Sequence, residues 1–473
     1  MATIDGQWIQ KLNLGPKRIS MVGLVSLLTL SCQSLQLSSV DPSQPHPEKM
    51  GGDINPQLTI SRADYLDKLE GFWLGACIAN WTGLVTEMDK VGNMGEFKTG
   101  AFYTRAHWGQ PDQPNIWTDQ PSDLSPTIDF VLRDSSEVWG ADDDTDIEYM
   151  YQHLLYIHES SLLTAEQIRE GWLKHIRAEE ENYLWVSNQQ AFDLMRQGVV
   201  PPETSDPVKN PHFEMIDAQL TTEIFGLFAP GRPEKAVELA YLPIRTTARE
   251  NAVYISEFYV RLHALASAVD ISLSRKAQIH WMAAEARQKI PAESYTAHMY
   301  DFVYSQYVSG VPWEQTRDAL YIRYQVEAQD GYDITSQNMY CNGCFAAGIN
   351  FAASLVSLFY GEGDFKETVK IAVLAGWDAD NPAATWGGLL GFMQGRKSLE
   401  QAFEMKLSNQ FNIHRTRQNF PQAGLDTFEE MARKGVSIVD RVVQEDLAGQ
   451  LDLQGNTWLI PTQIDHPLPQ MLR

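Results

Sequence analysis

The stretch Ala375-Gly-Trp-Asp-Ala-Asp-Asn-Pro-Ala-Ala-Thr-Trp-Gly-Gly-Leu-Leu-Gly391 sets two acids in a turn that runs straight into an apolar helix built largely of small residues. Asp378 and Asp380 are two residues apart. On an extended approach to a helix their side chains point the same way, whereas inside a helix they would diverge, so this spacing lets them share a cation. Pro382 suits a first helical turn, where no amide donor is needed, and this puts Asp380 and Asn381 at the helix N-terminal end. Ala383, Ala384, Gly387, Gly388 and Gly391 keep the helix slim, as the centre of a helical bundle requires. An aspartate before a helix is also the ordinary N-cap, and this stretch alone does not separate the cap from a ligand.

A second acidic stretch changes the balance. Asp142-Asp-Asp-Thr-Asp146 places four carboxylates in five residues directly before an amphipathic helix beginning near Ile147. A helix N-terminus offsets part of that repulsion, but four acids exceed what a cap needs. Hard oxygen donors at this density suit Mg²⁺, Mn²⁺ or Ca²⁺, and two such clusters meeting across a bundle can hold two cations. The alternative is a solvated acidic helix start. The chain of 473 residues is 44% hydrophobic, enough to fill a large core. Its formal charge of −24 repels phosphate backbones, which argues against a nucleic-acid partner.

In chain order, residues 1–31 read as a lipoprotein-type signal peptide. Lys11, Lys17 and Arg18 precede an apolar run too short to span a membrane, and Leu28-Thr-Leu-Ser-Cys32 resembles a cleavage site at which Cys32 is lipidated. Residues 32–60, rich in Ser, Pro, Gln and Gly, read as a flexible tether. The folded domain is expected over 61–473, opening at Ser61-Arg-Ala-Asp64. This layout places the chain in a bacterial cell envelope, lipid-anchored and periplasmic or surface-exposed, and we expect a monomer. Helical spacing dominates. Thr164-Ala-Glu-Gln167 is a capping-box sequence, Pro233 opens a helix, and further helices are expected near 251–268, 273–289, 294–308, 313–325, 345–360, 364–375, 382–394, 397–407 and 425–447. No sustained strand alternation is visible. Residues 88–140 and 198–212 read as irregular, site-forming loops. Cys77 reads as core. Cys341-Asn-Gly-Cys344 is a single pair, open to a disulfide, free thiols or packing. His153 and His158 read as structural, and Glu179-Glu-Glu181 as a solvated face. Trp117, Trp139, Trp377 and Trp386 flank the acidic motifs or lie in the irregular region, where core filling and sugar stacking are both open.

Gly71-Phe-Trp-Leu-Gly-Ala-Cys-Ile-Ala-Asn-Trp-Thr-Gly-Leu-Val-Thr-Glu87, then the Asp142–Asp146 cluster, then Gly376-Trp-Asp-Ala-Asp-Asn381, resemble the ADP-ribosylglycohydrolase family of the dinitrogenase-reductase-activating type. The resemblance runs over roughly 65–395. The segments 188–202 and 218–231 are similar to a large exported bacterial branch. The resemblance implies an all-α, single large orthogonal helical bundle with two acidic clusters meeting in a central cleft that holds two Mg²⁺ or Mn²⁺ ions. By position, Asp142, Asp143 and Asp144 match one ligand group, and Asp378, Asp380 and Asn381 the other. Glu87 matches a family glutamate near the substrate. Glycosidic cleavage needs a carboxylate to activate water and an acid for the leaving group. Asp144 and Asp378 are the candidates for water activation, and Glu87 for acid/base work.

The family often has Thr where Asp142, Ala379 and Asn381 stand, and an acid where Asn80 stands. Thr246-Thr-Ala-Arg-Glu-Asn-Ala252 replaces a glycine-containing substrate loop, which leaves the substrate open among ADP-ribosyl, ribosyl and other glycosides. The competing class is a non-catalytic sugar- or nucleotide-binding lipoprotein that retains the fold.

Overall fold

The computed structural model describes residues 57–461, apart from 179–181 and 338. The expected signal peptide, Cys32, most of the tether and the Glu179–Glu181 face lie outside the described residues. Residues 57–60 of the expected tether are strand.

Sixteen α-helices run through the described residues, as the helical spacing predicts. The first seven are α1 (Arg62–Gly83), α2 (Asp143–Ile157), α3 (Ala165–His175), α4 (Val186–Arg196), α5 (Ile224–Phe228), α6 (Pro233–Leu239) and α7 (Tyr241–Ile244). Then follow α8 (Glu250–Leu265), α9 (Arg275–Arg287), α10 (Tyr295–Val308), α11 (Trp313–Leu320), α12 (Ala347–Tyr360) and α13 (Phe365–Ala375). The last three are α14 (Asp380–Gln394), α15 (Arg396–Ala402) and α16 (Phe428–Glu445). The caps are those the sequence advertises. Ser61 Oγ accepts from the Asp64 amide, Thr164 and Gln167 close a capping box on α3, and Pro233 is in the first turn of α6.

Two expected helices are shorter than their spacing suggested. The 313–325 segment leaves α-geometry after Leu320 and continues as a π-helical turn over Tyr321–Val326. The 397–407 segment stops at Ala402, where Arg396 reaches forward to the Leu407 carbonyl and fixes a turn. Six short strands escaped the sequence pattern: β1 (Gln57–Ser61), β2 (Trp139–Gly140), β3 (Gln410–Asn412), β4 (Leu425–Thr427), β5 (Gln450–Asp452) and β6 (Thr457–Pro461). Each is too short for alternation to show. β1, β6 and β5 pair antiparallel, and β3 joins β2 in parallel and β4 in antiparallel fashion.

At the centre α1 crosses α14. Both are buried around nearly their whole circumference, so neither shows a polar face. The crossing is backbone on backbone: a Cβ on Gly75 would strike the Gly387 carbonyl, and one on Gly391 would strike that of Gly71. The small residues of α14 therefore do what their pattern predicts. At the end of α1, a Cβ on Gly83 would meet the Cα of Asp380, so this glycine lets the first turn of α14 dock there. α12, α13 and α2 pack around α14, while α15 and α16 pack against α1. Cys77 is buried, and Cys341 and Cys344 form a disulfide. No helix among the described residues is long and apolar enough to cross a membrane.

Candidate metal centre

Asp142 is the N-cap of α2, in extended conformation, and its carboxylate accepts from the Asp144 amide (3.2 Å) and from Asn80 Nδ2 (3.1 Å). It is thus a cap and a cluster member at once. Asp142, Asp143 and Asp144 each offer an oxygen within 4.8 Å of the others. Asp146 is instead fully buried against Arg417 Nε at 2.8 Å. Three of the four acids gather, and the fourth is neutralised.

The second group is built by a bent turn. The Met88 amide donates to the Trp377 carbonyl (2.9 Å) and the Trp377 amide to the Lys90 carbonyl (2.8 Å), tying this turn to the segment after α1. Gly376 sits at φ +100°, where a side chain would collide with the Lys90 carbonyl and the Phe102 ring. The Trp377 indole is buried and donates to Gln325 Oε1 at 2.7 Å, so this tryptophan is an anchor. Ala379 already has helical angles (φ −71°, ψ −25°), so the two acids do not sit on the extended segment their spacing suggested. They converge nonetheless: Glu87, Asp378 and Asp380 each offer an oxygen within 4.8 Å of the others. The tie from Met88 to Trp377 brings Glu87 into this group.

Asp380 meets Asp144 directly, and a second side chain also joins the groups. Asn381 Nδ2 donates to Asp144 Oδ1 (3.2 Å), and Asn381 Oδ1 accepts from Gln219 Nε2 (3.2 Å). Asn381 therefore lies between the two groups. Burial and mutual repulsion push every carboxyl here up. Asp143 is raised to about 6 by burial, against the pull of Arg417, and Asp380 to about 7 by burial and then by Asp143. Asp142, Asp144, Asp378 and Glu87 stand well above the carboxylate range, by burial and then by the charge of Asp380. Asp380 Oδ1 and Asp142 Oδ2 are buried without a hydrogen-bond partner. Crowded hard oxygens with unmet acceptor capacity fit divalent cations.

Four supporting residues were not placed by the sequence, although Asn80 stands where the family often has an acid. Asp217 is buried, accepts from the Asn188 amide (2.8 Å), and is raised to about 6 mainly by burial. Asn350 Oδ1 accepts from the Asp378 amide (3.2 Å). Gln219 and Asn80 hold Asn381 and Asp142. Each is an isolated polar residue in a helix or turn, and only the fold reveals its partner. Trp139, Trp377 and Trp386 are core, while Trp117 is half-buried. His153 packs on His175 and Phe420. In the 246–252 segment Thr246 is fully buried, its carbonyl accepting from Thr204 Oγ1.

The family model described as ADP-ribosylglycohydrolase matches residues 61–439. The chain belongs to the ADP-ribosylglycohydrolase family. The match takes in both acidic groups, Glu87 and the joining Asn381, and the family is metal-dependent. Among curated proteins, none matches the sequence. One similar solved structure is titled "ADP-ribosylglycohydrolase-related protein complex"; it is 15% identical, covers 80% of this chain and 98% of its own, and has a TM-score of 0.39.

Proposed function

We propose that this ADP-ribosylglycohydrolase-family chain is a divalent-metal-dependent hydrolase that cleaves an N- or O-glycosidic bond of an ADP-ribosyl, ribosyl or other glycoside. The observation that supports it is the meeting of the Asp142–Asp144 group with Glu87, Asp378 and Asp380, the two aspartate runs lying more than two hundred residues apart in sequence, through the Asn381–Asp144 hydrogen bond. Asp142, Asp143 and Asp144 would hold ions from the α2 side, and Asp378, Asp380 and Asn381 from the α14 side. Bound Mg²⁺ or Mn²⁺ supplies orientation and a lowered pKa for water. One of Asp144 and Asp378 accepts the proton of the attacking water, and the other serves as a ligand. Glu87, half-buried beside Asp378 and Asp380, is placed for proton exchange with the leaving group. Asn350 and Asn80 hold Asp378 and Asp142 in position.

The working compartment in this reading is outside the cytoplasm, with the chain tethered by a lipid on Cys32. The Cys341–Cys344 disulfide favours an oxidising compartment.

The test is metal stoichiometry and cleavage of a glycoside panel by the full chain, with Asp144→Ala beside it. About two ions per chain, and cleavage that needs them and vanishes in the variant, are expected. Metal binding without cleavage of any panel member would favour the non-catalytic binding reading instead.

A further inference from the structure

Four aromatic rings from three separate segments lie nearly parallel: Trp185 and Tyr340 are exposed, Trp117 is half-buried and Phe345 is buried behind them. Trp117 and Trp185 are tilted by 14° at a centroid separation of 6.0 Å, Trp117 and Phe345 by 18° at 6.1 Å, and Trp185 and Phe345 by 11° at 6.4 Å. Tyr340 continues the set, 15° from Phe345 at 6.5 Å. A pile of three parallel rings would hold its outer pair about 7 Å apart, twice the face-to-face contact distance. The mutual separations of Trp117, Trp185 and Phe345 are all smaller. At least two of the rings must therefore lie side by side, making a flat face wider than one ring.

Core packing accounts for Phe345 and part of Trp117, but not for the other two rings. Trp185 is 42% exposed and Tyr340 54%, where large aromatics are normally covered. The segments that carry them are held in costly backbone: Val186 has φ +36°, and Cys341 and Asn342 have φ +46° and +57° within the loop closed by the disulfide. Asn342 Nδ2 pins that loop to the Met94 carbonyl (3.0 Å), and Phe97 backs Tyr340 edge-on.

The face adjoins the acidic centre through two short links. Phe345 follows Cys344, whose carbonyl accepts from Asn350 Nδ2 (2.8 Å), and Asn350 Oδ1 accepts from the Asp378 amide. Trp185 precedes by three residues Asn188, whose amide is held by Asp217, and Asp217 acts electrostatically on Asp378. No Lys or Arg lies within two residues of any of the four rings in the sequence. The Arg415 guanidinium is engaged with the ring and hydroxyl of Tyr183, two residues before Trp185, and exposed Thr118 beside Trp117 offers a partner for a sugar hydroxyl.

The geometry points to a sugar-binding platform: Trp185, Tyr340 and the half-buried Trp117, backed by buried Phe345, receive the C–H face of a neutral sugar ring belonging to the part of the glycoside that is not cleaved. This deepens the proposed function and rests on it for the word substrate, though not for binding itself.

The experiment titrates the full chain, metal-loaded and again in chelator, with maltohexaose, cellohexaose, xylohexaose and chitohexaose, and in a second arm with adenosine and ADP-ribose. Native protein is compared with Trp185→Ala and Tyr340→Ala. Tyr340→Ala is at a half-exposed position and keeps the test open if Trp185→Ala fails to fold. At least one neutral oligosaccharide should bind, and each variant should weaken it about tenfold, with metal stoichiometry unchanged. The platform is refuted if no oligosaccharide binds, if the variants leave sugar affinity intact, or if they weaken only adenosine or ADP-ribose. Sugar binding by a chain that takes up no ion even when Mg²⁺ or Mn²⁺ is supplied would leave the platform standing while the metal-dependent hydrolase reading falls.

Discussion

Asp380→Asn should stabilise the protein without metal and remove the stabilisation that metal gives. Asp380 is 4% exposed at the first turn of α14, with its carboxyl raised from 3.8 to about 7. A raised carboxyl pKa means that the native state binds more protons than the unfolded chain between about pH 4 and pH 7. Stability is therefore lost as pH rises through that window. Above it, ionised Asp380 costs about 3 pKa units, or about 4 kcal/mol. The asparagine forfeits about 0.3–1 kcal/mol of favourable charge at the helix N-terminus, which is the smaller effect. The net gain of about 3 kcal/mol corresponds to about 4 °C, at an unfolding entropy of about 2.1 cal/mol/K per residue over roughly 400 residues. In Mg²⁺ or Mn²⁺ at about a thousand times its Kd, the native protein gains about 4 kcal/mol that the variant lacks, so the order reverses. Thermal melts near pH 8, in chelator and in metal, read both effects. A variant that melts no higher than native protein in chelator would refute the charge-crowding argument. An equal metal-induced rise in both proteins would refute ligation by Asp380.

Glu223, buried and raised from 4.5 to about 7, has one oxygen on Thr385 and the other unpartnered. Glu223→Gln should raise stability above pH 7 by about 2–3 kcal/mol and flatten its fall between pH 5 and 7; parallel pH–stability curves would exclude this. Arg417→Met strands buried Asp146 and should cost about 3–5 kcal/mol in denaturant unfolding, most of it recovered on adding Asp146→Leu. A single-variant loss below about 1 kcal/mol would show that the pair is not held in isolation from water. Gly387→Ala places a methyl group against Ala79 and the Gly75 carbonyl. The overpacking cost of about 1–3 kcal/mol or more exceeds the gain of about 1 kcal/mol in helix propensity, so melts should show net loss; a stabilised variant would mean α1 and α14 are not in backbone contact.

The aspartates of both groups were legible because each set is local in sequence and sits at a helix start, where local rules place side chains without knowledge of the fold; that Glu87 joins Asp378 and Asp380 was not. The slim face of α14 was legible for a similar reason, since glycines and alanines at helical spacing mark a close crossing. The strands were not. With two to five residues each, they exist because tertiary packing brings β1 beside β6 and β2 beside β3.

The sequence by itself determined the helices, their caps and the carboxylates available, because these follow from neighbours a few residues away. It did not determine the use of each acid. Asp142, Asp144 and Asp146 come from one run, yet the first caps a helix, the second meets Asn381 and the third is consumed by Arg417. Only the tertiary structure decided that, since the deciding partners lie far along the chain and reach the site through the α1–α14 crossing. The same holds for the aromatic face, whose rings belong to three loops with no common spacing.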